Sequence, residues 1–307
     1  GTNSQTCGLR QGGWWGYAQP GQLPADQRLE EPAAFRFVGS PVTGSMSVVG
    51  VPRVRLTVSA NAPRALVAVR LCDVAPDGSS LQLSRGVLNL CHRAGHEFPE
   101  AVVPGEPMAV EVVLDGVAHE LAAGHRMELL VGTTLWPLVW PSPTNITLTL
   151  HLDEGCTLLL PVRHRTVADD DVDPFGPPET AEPGSAPVSN GDQTRTITED
   201  LGRGTTTLVD HFDSGGIEFA ENDDVMFVAA TDTWIINRHD PLSARVISRR
   251  TWSIRWSDHP DICQVEATAE MWADSQWFYT TNTVTVLEGE TELSTRSHNR
   301  RYPRNHV

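Results

Sequence analysis

The sequence contains no lysine, so arginine supplies all 23 of its basic residues. The 39 acidic residues outnumber them and leave a formal net charge of −16 at pH 7. A protein that binds the phosphates of nucleic acid needs a basic face. The composition therefore argues against a nucleic-acid partner, and we attach no function to the missing lysine itself.

Long apolar runs are also missing. The longest, residues 65–69 and 225–230, are far shorter than the ~20 residues that a membrane-spanning helix needs. Residues 1–10 are polar and lack the apolar centre of a signal peptide. We therefore expect no membrane partner and a cytoplasmic location, with secretion left open.

Closely spaced cysteines are missing as well. The five cysteines, Cys7, Cys72, Cys91, Cys156 and Cys263, are far apart and include no C-x-x-C pair. Neither a disulfide framework nor a zinc ribbon is indicated, so we expect reduced thiols and no metal site. A single bridge stays open, either between Cys91 and Cys156 or between Cys7 and Cys263.

No stretch keeps a helical period, whereas alternation of apolar and polar residues is frequent. Residues 54–58 and 146–152 alternate as strands with one buried face do. Turn sequences such as residues 75–78 (APDG) separate further expected strands at 66–74, 81–90, 108–114 and 126–131. The pattern predicts an all-β fold with a β-sandwich at 34–166, and a jelly roll is one way to close it with few exposed edges.

Residues 167–193 interrupt this pattern with an acidic and proline-rich stretch. Asp169, Asp170, Asp171 and Asp173 precede several prolines, a composition typical of a linker or long surface loop. Alternate aspartates also suit a calcium loop, but the glycine and distal glutamate of an EF-hand loop are absent.

Residues 194–307 alternate again, in longer strands. Strands are expected at 244–257, 263–272, 276–287 and 290–300, joined by short turns that suit hairpins. This pattern predicts a second antiparallel β-domain. Trp252, Ile254 and Trp256 share one strand face, which indicates a packed core or a seam against another domain.

Three stretches carry a family resemblance: residues 7–28 (CGLRQGGWWGYAQPGQLPADQR), 71–80 (LCDVAPDGSS) and 123–131 (AGHRMELLV). Together they resemble the C-terminal β-region of the cocaine-esterase-like (CocE/NonD) and X-Pro dipeptidyl-peptidase hydrolases. In that family an α/β-hydrolase domain precedes a galactose-binding-like jelly roll. The resemblance implies that residues 1–33 are the connecting segment and that 34–166 form the jelly roll. Residues 240–244 (DPLSA) and 302–307 (YPRNHV) resemble the tail of one bacterial subgroup, so we expect the natural C-terminus at Val307.

The resemblance implies a role without catalysis. The family's Ser-Asp-His triad belongs to the α/β-hydrolase domain, and this sequence contains no G-x-S-x-G nucleophile elbow. No catalytic residue and no cofactor is therefore assigned. The chain is expected to act as an accessory region that packs on an α/β-hydrolase domain, shapes the substrate cleft or supports a homo-oligomer. The parent enzyme would cleave acyl esters or X-Pro peptides.

Two other functions stay open. A carbohydrate- or ligand-binding β-sandwich module should expose two or three coplanar aromatic rings, whereas an accessory region should expose a broad apolar patch. An independent hydrolase should place a serine and a histidine within hydrogen-bond reach. Whether the chain is itself an enzyme is left undecided by its sequence.

Five residues are candidates for lining a cleft or an interface: His92, Arg93, His96, Trp136 and Trp140. By the family comparison, the loop at 93–99 is expected to face the hydrolase domain. Cys91 with His92 and His96 also suits zinc, but no fourth ligand is apparent. The tryptophans lie in a proline-rich loop at 135–143, which suits stacking on a sugar or peptide, or folding over the sandwich edge.

Two further groups imitate catalytic sets. Residues 213–216 (DSGG), beside Asp210 and His211, copy the tetrad around the nucleophile of chymotrypsin-like proteases. Those proteases draw their triad from distant strands, so a hairpin or loop is the expected structure here. His125 and Arg126 suit a base with an anion-binding partner, but structural turn residues are the preferred interpretation.

Overall fold

The computed structural model describes residues 1–14, 16, 21–30, 34–152, 155–169, 171–181 and 183–307. These residues form antiparallel sheets with only short 3-10 helices, at Gln27–Leu29, Leu90–His92 and Val167–Asp169. The all-β prediction is therefore confirmed. Among the described residues, no helix has both the length and the apolar character to cross a membrane.

The first eleven strands build three small sheets. Their bounds are β1 Phe35–Val38, β2 Met46–Gly50, β3 Arg53–Ala60, β4 Leu66–Val74, β5 Ser80–Asn89, β6 Met108–Val113, β7 Val117–Leu121, β8 Arg126–Gly132, β9 Leu148–Leu150, β10 Thr157–Leu159 and β11 Val162–Arg163. The sheet orders are β1-β8-β4-β5, β10-β3-β6 with β9 also on β3, and β11-β2-β7.

One apolar core joins these three sheets. Val48 of β2, Val58 of β3 and Leu71 of β4 are each fully buried in it. The alternation seen in the sequence explains this core, because every second side chain of a strand points to the same face. Strand β4 is buried on both faces, so its second face is covered by another part of the chain.

The last eight strands form a single sheet. They are β12 Ser185–Pro187, β13 Asp192–Asp200, β14 Thr205–Phe219, β15 Val225–Asn237, β16 Asp240–Arg255, β17 Ile262–Ala273, β18 Trp277–Glu288 and β19 Thr291–Pro303. From β14 to β19 each strand pairs with the next, while β12 and β13 both pair with β14. We call this the meander sheet, and it agrees with the predicted hairpins.

One local expectation needs correction. Residues 213–216 are not a hairpin turn, because they lie inside β14 and form a β-bulge opposite β15, where the register shifts between Asp213 and Gly216. The predicted linker at 167–193 contains strand β12 as well as extended, exposed residues such as Phe175. Asp170, part of the predicted acidic cluster, lies outside the described residues. The division into domains stays a prediction.

Candidate interface surfaces

The connecting segment is held on the outer face of β4 by buried polar groups. Arg70, only 3% exposed, donates from Nη1 to Oε1 of Gln27 at 2.9 Å. Glu30, 5% exposed, accepts hydrogen bonds from the amides of Gly8 at 2.7 Å and Arg10 at 2.9 Å. Arg70 and Glu30 lie 4.0 Å apart and balance each other's charge. Because buried charges are stable only when they are paired and bonded, this arrangement fixes the segment.

A second arginine extends this attachment along β5. Arg85 donates to the carbonyl oxygens of Gln11 at 3.3 Å, Gly13 at 3.1 Å and Trp14 at 3.3 Å. Its guanidinium also lies 4.9 Å from the centre of the Trp14 ring. Burial lowers the pKa of Arg85, and nearby Asp115 opposes this shift. The segment is thus bound through its backbone carbonyl groups. Contacts of this kind cannot be predicted from the periodicity of side chains in the sequence.

An apolar junction joins the jelly roll to the meander sheet. Leu9 and Trp136 from the first part meet Leu208, Ile236 and Ala244 of the meander sheet in one buried cluster. Trp136 is 1% exposed. The connecting segment takes part as well, since Arg195 of β13 donates to the carbonyl of Gly12 at 3.1 Å. The junction therefore combines an apolar centre with hydrogen bonds at its edge.

The two candidate tryptophans of the loop at 135–143 both belong to this junction. Trp136 packs edge-on against Trp140 at 5.5 Å between ring centroids, and Trp140 packs in the same way against Phe278 at 5.8 Å. Their rings thus contact the meander sheet of the same chain. Their role towards a further domain stays a prediction.

The C-terminal residues add a polar clamp to the junction. Arg304 is 2% exposed and donates to the carbonyl of Pro141 at 2.7 Å and to that of Asp274 at 3.0 Å. Arg64 of the jelly roll donates to the carbonyls of Arg304 at 2.6 Å and Ser275 at 2.8 Å. Burial and the charge of Arg64 lower the pKa of Arg304 to about 10, while Asp274 opposes the shift.

The face of the meander sheet that forms the junction continues beyond it as a partly exposed apolar surface, as far as the described residues show. By strand register, this continuation carries twelve side chains, which we call the bare face: Phe212, Ile217, Met226, Val228, Ala230, Trp252, Ile254, Cys263, Val265, Ala267, Val284 and Val286. Trp252 is 59% exposed and Phe212 39%. The prediction placed Trp252, Ile254 and Trp256 on one strand face. The register agrees for Trp252 and Ile254, whereas Trp256 follows the end of β16, and Trp252 is not part of a packed core.

A row of charges separates the junction from the bare face. Asp210 of β14 lies opposite Asp232 of β15. Arg195 donates to Asp210 at 2.6 Å, and Arg250 binds both oxygens of Asp232 at 2.9 and 2.8 Å. Each aspartate thus has its own arginine, so the row needs no further ligand to balance it.

The loop that carries the other three candidates lies at the edge of the jelly roll. His92 and His96 place their Nδ1 atoms 3.1 Å apart, and Arg93 donates to the carbonyls of Leu90 at 3.0 Å and Glu100 at 2.8 Å. Nowhere in the described ranges do three or more metal-binding side chains come together. The cleft or interface role of His92, Arg93 and His96 stays a prediction.

One serine and one histidine do come within hydrogen-bond reach, which the sequence did not indicate. Ser59 Oγ lies 3.0 Å from His151 Nε2. Ser59 is 6% exposed near the end of β3, and no carboxylate in the described part of the chain bonds to His151. The pair therefore lacks the orienting acid and the exposed turn of a serine-hydrolase nucleophile.

The groups that imitate catalytic sets are engaged elsewhere. His211 Nδ1 contacts Thr231 Oγ1 at 2.9 Å, and Ser214 Oγ donates to the carbonyl of Gly215 at 2.8 Å. Arg126, at the start of β8, donates to the carbonyl of Gly39 at 3.1 Å. These contacts are local and structural.

All five cysteines are free thiols, and Cys7, Cys72 and Cys91 are buried. Burial raises the pKa of the Cys7 thiol to about 11, which the charge of Arg70 partly opposes. Burial also raises the pKa of Cys91. Buried thiols of this kind are poor nucleophiles, because the thiolate is the reactive form.

Comparison with known proteins identifies relatives that match part of the chain. The family model of the X-Pro dipeptidyl-peptidase C-terminal non-catalytic domain matches residues 2–172. Cocaine esterase of Rhodococcus sp. (strain MB1 Bresler) is 27% identical over 116 residues, or 37% of this chain and 20% of that protein. An α-amino acid ester hydrolase structure aligns with 24% identity and a TM-score of 0.43, over 45% of this chain and 27% of its own. An aminopeptidase structure from Thaumarchaeota archaeon aligns with 19% identity and a TM-score of 0.44, over 49% and 30%.

The chain therefore spans about a fifth of the curated relative's length and less than a third of each of these two structures.

Proposed function

Since this chain belongs to the family of the X-Pro dipeptidyl-peptidase C-terminal non-catalytic domain, through residues 2–172, we propose that it is the accessory region of a serine hydrolase. In this proposal it packs on an α/β-hydrolase domain, shapes the entrance to that domain's substrate cleft and stabilises it. The parent enzyme cleaves an acyl ester or an X-Pro peptide bond with catalytic residues of its own.

The attachment of the connecting segment carries this proposal. Arg70 of β4 and Glu30 of the segment bury opposite charges beside each other, and Arg85 binds three of the segment's carbonyl groups. An accessory region can hold a catalytic domain in one orientation only if the chain between them is rigid. Here the segment that resembles the family's connection is built into the jelly roll, so a domain attached to it would have a defined orientation.

The ligand-binding alternative has weaker support. It expects exposed, coplanar aromatic rings beside polar groups, whereas Trp136 is buried and Trp140 packs against Phe278. Trp272 and Tyr279 are nearly parallel, but they stack on each other at 5.5 Å. Trp252 stands among aliphatic side chains of the bare face.

We also propose a cytoplasmic location, which the five free thiols support.

Removal of the region from the parent enzyme tests the accessory role. The parent, with this region following its α/β-hydrolase domain, is compared with the hydrolase domain alone. We expect the half-life of the enzyme's activity towards p-nitrophenyl esters, at roughly 45–55 °C, to fall at least tenfold in the truncated enzyme. Domains of mesophilic proteins typically unfold at about these temperatures. Addition of this chain as a separate polypeptide should restore it. Equal half-lives with and without the region would contradict the proposal.

A further inference from the structure

The two faces of the meander sheet differ in chemistry. One face carries threonines at regular positions, among them Thr231, Thr251 and Thr268. The other carries the junction and then the bare face, where Val265 is 40% and Val284 42% exposed. An antiparallel sheet commonly has one solvated face and one face packed against another layer. Behind the bare face the threonine face carries mainly polar side chains, such as Thr251, Glu266 and Thr283, although Phe227 and, further along, Trp272 and Tyr279 also lie on it. The bare face is therefore the more apolar of the two surfaces and the one that needs a covering layer.

That layer is incomplete within this chain. The jelly roll covers the sheet around Leu208, Trp234 and Val246, up to the charged row of Asp210 and Asp232. Beyond this row, among the described residues, Phe212, Trp252, Val265 and Val284 of the bare face are each at least 39% exposed, and the other eight apolar side chains are half-buried. Contiguous exposed apolar surface of more than a few hundred Å² is uncommon on monomers and typically marks a protein interface.

We propose that the bare face is the docking surface for the α/β-hydrolase domain of the same enzyme. This inference rests on the proposed function. The bare face is continuous with the junction, so one covering body can extend the existing layer. The connecting segment also reaches the meander sheet directly, where the amide of Gln5 donates to the carbonyl of Arg238 at 3.1 Å and Arg195 donates to Gly12. A domain attached through this segment therefore lies within reach of the sheet.

Charge argues against a second copy of this chain as the occupant. Each copy carries a formal net charge of −16, which opposes the approach of two identical faces. Edge strand β19 is exposed along its whole length, but Arg296, Arg300 and Arg301 line it. Arginines on an edge strand discourage pairing with another copy of the same edge.

The same edge indicates the chemistry of the partner. Arg296 and His298 point to the same side of the sheet as the bare face, opposite Val284 and Asn282 of β18. Among the described residues, neither Arg296 nor Arg300 forms an ion pair. An apolar patch with a basic rim fits a partner whose apolar surface has an acidic border. Trp252 is the expected anchor, because large aromatic side chains dominate binding energies at interfaces.

Two variants on one strand test this inference. Val265→Asp places a charge on the bare face, whereas Thr268→Asp places the same charge on the opposite, solvated face of β17. Both positions are exposed, so both variants are expected to fold. Binding of this chain to the separately expressed α/β-hydrolase domain is measured by isothermal titration calorimetry. We expect Val265→Asp and Trp252→Ser to weaken the complex at least tenfold, and Thr268→Asp to change it less than twofold.

The outcomes separate this inference from the function on which it rests. If the unchanged chain binds the hydrolase domain and Val265→Asp binds equally well, the accessory role stands and the docking surface is wrong. If the unchanged chain does not bind at all, the proposed function fails. Sedimentation velocity shows whether the chain self-associates. A dimer that Val265→Asp dissociates, with hydrolase binding unchanged, would assign the bare face to a second copy and overturn the inference.

Discussion

His125 Nδ1 lies 2.8 Å from Oδ1 of Asp73, and this contact joins two of the three stretches of sequence that carry the family resemblance. Asp73 belongs to LCDVAPDGSS and His125 to AGHRMELLV. The second oxygen of Asp73 contacts Nε2 of His119 at 2.9 Å. Since Asp73 is 5% exposed, two histidines hold a buried carboxylate at the edge between β4, β7 and β8.

The first prediction concerns this carboxylate. Asp73→Asn removes the acceptor of one histidine and leaves a buried polar group without a matched partner. We expect the free energy of unfolding to fall by ~1–3 kcal/mol, the typical cost of leaving a buried polar group unsatisfied. Urea unfolding followed by circular dichroism measures the change. Glu106→Gln, at an exposed position, is the control and should change the free energy by less than ~0.5 kcal/mol.

The second prediction concerns the attachment of the connecting segment. Arg70→Leu removes the positive charge that balances buried Glu30, so the glutamate is left buried beside amides alone. Breaking one side of a buried ion pair typically costs ~3–5 kcal/mol. We expect a loss of this size together with faster proteolysis between residues 10 and 25. Arg55→Leu, in an exposed pair with Glu111, should leave the proteolysis rate unchanged.

The third prediction concerns the junction. Leu208 is fully buried in the apolar cluster that joins the meander sheet to the jelly roll. Leu208→Ala should lower the free energy of unfolding by ~2–4 kcal/mol, through lost burial and the cavity that remains. Leu293→Ala, at an exposed position of β19, should stay within ~0.5 kcal/mol of the unchanged chain. Equal effects of the two variants in urea unfolding would show that the cluster does not form.

The fourth prediction is a dependence on pH. The folded chain holds the pKa of Cys7 at about 11, above its ordinary value of 9.0. Below pH 9 the thiol is protonated in both states, and its contribution to stability is fully present. As the pH rises from 9 towards 11, the unfolded state loses the proton first, so stability falls. The loss attributable to Cys7 should reach about 2–3 kcal/mol, since a pKa difference of one corresponds to about 1.4 kcal/mol.

Urea unfolding at pH 8 and pH 10.5 measures this slope. Cys7→Ala should reduce the slope, whatever its effect on stability at pH 8. Cys263→Ala, at a half-buried position on the bare face, serves as the control and should leave the slope unchanged. The same slope in Cys7→Ala and in the unchanged chain would contradict the prediction.

Sequence alone predicted those elements whose alternation is strong and whose turns are explicit. Strand β4 begins and ends where the pattern placed it, at Leu66 and Val74, because the APDG turn follows it directly. The family match over residues 2–172 confirms the resemblance that rests on such stretches. In the meander sheet, strands β16 to β19 could be predicted for the same reason, since hydrophobic alternation and short polar turns define each hairpin.

The remaining features depend on contacts between distant residues. Asp213 to Gly216 contain turn-forming residues, yet pairing with β15 turns them into a bulge within a long strand. Ser59 and His151 are 92 residues apart, and no pattern in the sequence brings them together. Arg70 and Arg85 look like ordinary outward-facing strand residues, because only the folded segment shows what covers them. The bare face could be recognised only from the register of five paired strands, because the periodicity of one strand does not show which side chains of the other strands lie beside it.

Turnover by this chain, alone and mixed with the α/β-hydrolase domain, tests most directly the claim that it supports catalysis without performing it. Hydrolysis of p-nitrophenyl esters and X-Pro-p-nitroanilides is followed for the unchanged chain and for Ser59→Ala. The account predicts no turnover by the chain alone and an active, longer-lived complex after mixing. Turnover by the chain alone that a serine-directed inhibitor blocks and Ser59→Ala abolishes would contradict it.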